Sequence, residues 1–162
     1  MRRLTLIFPP VLLFIGCLLT AALLAGCAAG AVQVPVPSPD PAAARLCAGL
    51  LPPHKVHGQT GRTTSPKSRL VAAWGSPAIA LRCGVSRPPA LQPTSQLVTV
   101  SGISWFAEPA DRPVTFTAVG RQAYVEVTIP AKYTEHSPPG DVLLELTAAI
   151  KAALPEKADG EL

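Results

Sequence analysis

The junction at residues 24–27 restricts what this chain can fold into more than any other feature, because it sets aside everything before it. Met1–Arg3 is a short basic stretch and Leu4–Leu24 is almost wholly apolar. Leu24-Ala25-Gly26-Cys27 follows, a leucine and two small residues ahead of a cysteine. Together these have the layout of a secretory signal ending in a lipobox. Small residues are needed there because the lipoprotein signal peptidase must fit the backbone beside the Gly26–Cys27 bond. The cysteine is needed because its thiolate takes up a diacylglyceryl group as a thioether. Two acyl chains, each buried CH₂ worth about 0.8 kcal/mol, hold a protein far more firmly than one. The chain is therefore expected to lose residues 1–26, to carry lipid on Cys27, and to work at the outer face of the cytoplasmic membrane. An uncleaved membrane helix over Leu4–Leu24 would be long enough to span a bilayer. It would, however, place Pro9 and Pro10 in a helix, where each removes a hydrogen bond. Arg2-Arg3 matches the start of a twin-arginine signal without the rest of that pattern.

The cysteines follow from the same junction. Of the four, Cys17 leaves with the signal and Cys27 is acylated. Cys47 and Cys83 remain, in an oxidising compartment where a disulfide persists. Such a bridge is worth roughly 4 kcal/mol on the loop-entropy model. The competing reading is a reactive thiol pair, and the wide separation without a Cys-x-x-Cys spacing argues against it. Charge excludes one class of partner. The formal charge is +4, but loss of Arg2 and Arg3 leaves 12 basic residues against 10 acidic ones. They are scattered from Arg45 to Lys157, with no basic face for nucleic acid and no polybasic membrane patch. Richness in Ala, Pro and Arg with few Lys points to a high-GC genome.

Residues 27–40, rich in Ala, Val, Pro and Ser, read as a lipidated cysteine and a semi-extended tether. Residues 41–155 form the expected single domain, and 156–162 a disordered tail. A helix is expected over Pro41–Leu51, with Asp40 as N-cap and Ala43, Leu46, Cys47 and Leu50 on one face. Pro52-Pro53 ends it. The polar, Gly/Thr-rich stretch His54–Ser68 reads as a mobile loop, and Arg69–Trp74 as either a helical turn or a strand. Four strands follow: Pro77–Cys83, Gln96–Phe106 with a bulge at Gly102, and a hairpin of Val114–Val119 and Gln122–Ile129 turning at Gly120-Arg121. A last helix runs from Asp141 as cap to Leu154, with Val142, Leu143, Leu146, Ala149, Ile150 and Ala153 on its face. The expected fold is α+β: a four-stranded, mostly antiparallel sheet covered on one face by an N-terminal and a C-terminal helix. The Cys47–Cys83 disulfide would staple the first helix to the sheet.

Three segments carry a family pattern: Trp74-Gly75-Ser76-Pro77, Leu81-Arg82-Cys83-Gly84 and Val119-Gly120-Arg121-Gln122-Ala123-Tyr124-Val125-Glu126-Val127. Across most of the mature domain the chain resembles the actinobacterial lipoproteins grouped as domain-of-unknown-function family 3515. The resemblance implies an envelope location and a high-GC source, and places Cys47 and Cys83 where that family's cysteines stand. It implies no activity and no catalytic residues.

Chemistry is sparse. Glu135-His136-Ser137 holds the residue types of a nucleophilic triad, but sequence neighbours rarely meet that geometry, and Pro138-Pro139-Gly140 marks an exposed loop. No G-x-S-x-G is present, and Ser101-Gly102-Ile103-Ser104 falls mid-strand. His54 and His57, with His136 the third histidine, make a poor metal site without further ligands. No glycine-rich phosphate loop follows a strand. No catalytic, cofactor-binding or metal residue is therefore assigned, and no cofactor is expected.

The candidate binding surface is the sheet face away from the helices, carrying Arg82, Tyr124, Glu126 and Thr128 with Arg121 at the turn and Trp74 nearby. Its bland alternative is an ordinary solvated sheet face. Trp105, phased with Ile103, reads as core, and Trp74, beside Gly75 and Pro77, as the more open tryptophan. The expected function is a non-enzymatic, lipid-anchored interaction domain that meets an envelope protein or glycan. A small-ligand or glycan binder with a pocket near Trp74 is the alternative, and an envelope hydrolase the third reading.

Overall fold

A computed structural model describes residues 30–112, 114–158 and 162. The signal expected over 1–26 and the lipidation expected at Cys27 lie outside the described residues. Among the described residues, ten strands and two α-helices follow in chain order, with a short 3-10 helix at Ala131–Tyr133. They are β1 (Val32–Gln33), α1 (Pro41–Ala48), β2 (Lys55–Val56), β3 (Gln59–Arg62), β4 (Thr64–Ser65), β5 (Val71–Trp74) and β6 (Ile79–Val85). Then come β7 (Val98–Val100), β8 (Ile103–Glu108), β9 (Thr115–Val119), β10 (Tyr124–Thr128) and α2 (Pro139–Ala153).

Among the described residues, eight strands make one sheet in the order β2-β3-β5-β6-β10-β9-β8-β7, with every neighbouring pair antiparallel. β1 and β4 form a separate two-stranded parallel pair. The expectation of a four-stranded sheet is therefore corrected, for three physical reasons. His54–Ser68, expected as a mobile loop, contains β2 and β3 of this sheet and β4 of the separate pair, short strands held by backbone pairing with Val56 the one residue buried in the core. Arg69–Trp74, expected as either a helical turn or a strand, holds the strand β5. Gln96–Phe106, expected as one bulged strand, folds back on itself: Ser101 and Gly102 take positive φ, 46° and 76°, and Val100 pairs with Ile103. Gly102 makes a hairpin turn, and the bulge lies in β6 instead. There Val125 faces Cys83 and Tyr124 faces Val85, leaving Gly84 as the extra residue at φ 84°.

Asp40 starts α1 as the spacing predicts. Its carboxylate accepts the N–H groups of Ala42 at 2.8 Å and Ala43 at 3.0 Å, with Pro41 at the first helical position. These two bonds, that of Ala43 foremost, hold the carboxyl below its ordinary value. The helix ends at Ala48, short of the expected Leu51, and Gly49 closes it. α2 begins two residues before the expected cap: Pro139 enters the helix, and Asp141 lies in its first turn without capping it.

Alternation divides each strand between two faces. The inner face carries Ile79, Leu81, Val125, Val127, Phe116, Ile103 and Trp105, packed with Val142, Leu143, Leu146 and Ile150 of α2 and Ala43 and Leu50 from the α1 region. Cys47 and Cys83 are fully buried in this core and bridged, with Cα atoms 5.6 Å apart, so α1 is joined covalently to β6. The outer face holds a smaller cluster. Val34, 2% exposed, packs with Val71 and Ala73, flanked by Val32, Val36, Ala78 and Ala80. The segment expected as a tether is thus, from Val32 on, a strap laid along the outer face of the sheet.

Candidate functional site

The outer face is where chemistry-bearing side chains gather. Arg82 on β6 stands opposite Glu126 on β10, and Glu126 stands opposite Thr117 on β9. Alternation turns all three away from the core. The Arg82 guanidinium donates to the Glu126 carboxylate at 2.9 Å through Nη1 and to the Pro35 carbonyl at 3.0 Å through Nε. Arg82 therefore ties the strap to the sheet while keeping its ion pair reachable: the side chains retain 29% and 21% exposure. Walls rise on both sides, Val36-Pro37-Ser38 of the strap and Arg87-Pro88-Pro89 after β6, with Glu108 also lining the groove. The volume enclosed is about 470 Å³. Prolines fix φ near −65° and remove donors, so these walls are stiff and present carbonyls.

A second depression of about 300 Å³ adjoins it, sharing Ser38, Gly84, Val85, Ser86 and Arg87. Tyr124 and Lys157 line it, with the Lys157 ammonium 4.7 Å from the Tyr124 ring centre. The Tyr124 hydroxyl donates to the Leu162 oxygen at 2.7 Å, and Lys157 donates to that oxygen at 2.9 Å. Residues expected as a disordered tail thus contribute to this end of the face. The Lys157 N–H also donates to the Gly120 carbonyl at 3.0 Å.

The structure brings Arg82, Glu126 and Tyr124 to this face and leaves two expected members elsewhere. Trp74 is 2% exposed, its ring in the core and its Nε1–H donating to the Pro53 carbonyl at 2.9 Å. Arg121 is 5% exposed and donates to the carbonyls of Leu154 and Gly102 and, at 2.9 Å, to the Glu156 carboxylate. It fastens the β9–β10 turn to the end of α2. Sequence reading missed Arg87, Glu108 and Lys157. The Pro88-Pro89 pair beside Arg87 is a signal that could have pointed to a rigid wall.

The other candidates disperse. A depression of about 400 Å³ beside Trp74 is lined by Pro53, His54 and Arg62. His57 instead turns the β2–β3 hairpin, where its N–H donates to the Glu145 carboxylate at 2.9 Å and its ring meets Tyr133 edge-on. Glu135 and His136 are exposed in the turn ahead of α2. Among the described residues no group of three or more His, Cys, Asp or Glu is placed to hold a metal ion. Among them, too, no helix is long and apolar enough to cross a membrane.

What these features define is a disulfide-stapled antiparallel sheet with helices on its inner face and a strapped polar groove on its outer one. The chain belongs to the family described as protein of unknown function (DUF3515), whose family model matches residues 7–158. No curated protein and no solved structure matches it.

Proposed function

We propose that this protein is a lipid-anchored domain of an actinobacterial cell envelope, exported and held at the outer face of the cytoplasmic membrane through Cys27. It acts there by binding an envelope protein rather than by catalysis. The anchor reading is supported by the basic start, the apolar run and Leu24-Ala25-Gly26-Cys27. The source is supported by composition and by the resemblance of the three quoted segments. One observation carries the binding reading: the Arg82–Glu126 pair lies part-exposed on the floor of a proline-walled groove. An arginine already oriented by two partners loses little freedom when a third group docks, and stiff walls lower the ordering cost of binding. The glycan alternative has less to stand on, because the Trp74 ring that would stack on a sugar is buried.

The test is crosslinking in intact cells followed by mass spectrometry, with Cys27→Ala and Arg82→Ala proteins beside the natural one. A partner recovered with the natural protein, reduced in the Arg82→Ala strain and lost in the Cys27→Ala strain, is the expected result. Equal recovery with Arg82→Ala would remove the groove from the reading. Membrane association that persists unchanged in the Cys27→Ala protein would remove the lipid anchor.

A further inference from the structure

Little chain separates the anchoring cysteine from the folded body. The Val32 N–H donates to the Thr63 carbonyl at 2.8 Å, and β1 runs beside β4 from that point. Only Ala28, Ala29, Gly30 and Ala31 stand between Cys27 and Val32. At no more than about 3.6 Å per residue, the contour from Cys27 to Val32 stays under about 18 Å. A lipid on Cys27 therefore holds the start of β1 close to the bilayer.

The neighbourhood of that point carries an unusual corner. Thr63 follows β3, and two residues earlier the Gly61 N–H donates to the His54 carbonyl at 2.8 Å. Pro52, Pro53 and His54 share one depression with Arg62, Thr63 and Trp74. From the same corner Leu51 is 81% exposed, and Lys55 is exposed on β2. The corner is stiff: two consecutive prolines restrict it, and the Trp74 indole N–H grips the Pro53 carbonyl. A leucine held out rigidly, with a lysine four residues on, is an arrangement that suits the lipid–water boundary. Leucine favours the acyl edge, and lysine reaches anionic headgroups with its charged end in water.

We propose that the Leu51–Lys55 corner rests on the leaflet that holds the lipid of Cys27, with Leu51 among the headgroups and Lys55 against their phosphates. The domain is then seated in one orientation instead of swinging on its anchor. This rests on the lipid-anchor reading.

The test uses the lipidated protein in vesicles of phosphatidylcholine and phosphatidylglycerol, carrying a nitroxide at Leu51→Cys or at Val98→Cys. Val98 is half exposed on β7, the opposite edge of the sheet from β2, and serves as the distant control. The disulfide occupies Cys47 and Cys83, so the introduced thiol is labelled selectively. Collision with a water-soluble paramagnetic relaxer is expected to fall severalfold at position 51 on vesicles and to stay unchanged at position 98. Flotation of the vesicles reports anchoring separately. A protein that floats while its position 51 is as wet as position 98 overturns this seat alone. A protein that does not float overturns the anchor reading and the seat with it.

Discussion

A side chain at position 84 would have nowhere to go. A β-carbon there would meet Pro39 Cβ at 2.7 Å and Cγ at 2.8 Å, with Cys47 Sγ at 3.5 Å, and φ is 84°. The bulge in β6, the strap and the disulfide converge on this glycine. Gly84→Ala is expected to destabilise the protein by roughly 1–3 kcal/mol, read as a lower urea midpoint. Asp40 stabilises by a different route, since its carboxylate accepts the Ala42 and Ala43 N–H bonds more strongly when ionised than when protonated. Its folded-state pKa lies below the ordinary 3.8, so the stabilisation is present above that value and is lost as pH falls through the lowered one. Asp40→Ala should lower Tm at neutral pH, and the gap from the natural protein should close in acid. Arg82 contrasts with both. Its ion pair is part-exposed, so Arg82→Ala should cost only about 1 kcal/mol while weakening partner capture. A loss of several kcal/mol on denaturant titration would make Arg82 a structural residue instead.

At the scale of elements, the strap and the disulfide decide most. Val34→Ala removes the centre of the outer cluster, and a drop of about 1–2 kcal/mol on thermal unfolding is expected. Replacing Cys47 and Cys83 together by Ala should cost about 2–4 kcal/mol. The same elements show what the sequence makes legible. The β9–β10 hairpin is written in strict alternation, with Val125 and Val127 inward and Glu126 and Thr128 outward, and the structure pairs those strands. α2 is written in its apolar face. β2 to β4 are not, because strands of two to four residues are too short to show a period; β2 and β3 are set by pairing with each other and with β5, and β4 by pairing with the distant β1. The strap that begins with β1 carries a signal that its prolines hide, since Val32, Val34 and Val36 alternate with Gln33 and Pro35. The groove was half legible for the same reason. Strand alternation assigns Arg82 and Glu126 to one face, whereas the walls come from the strap and from Arg87-Pro88-Pro89, which no periodicity places.

For the whole molecule, the consequence of the Cys47–Cys83 bond is mechanical. A load arriving from the N-terminal side meets the β1–β4 pair first, then Val34 in its cluster, then the Arg82 grip on Pro35 and the contact of Pro39 with Gly84. Each of these can peel in turn. At Cys47 the path changes, because tension crosses the sulfurs into Cys83 in β6, which has β5 on one side and β10 on the other. From there the backbone between 48 and 82 is bypassed. Pulling can therefore draw out residues 31–46 and is then taken up by the middle of the sheet, so the bond limits how far a load on the N-terminal side can strip the strap from the fold.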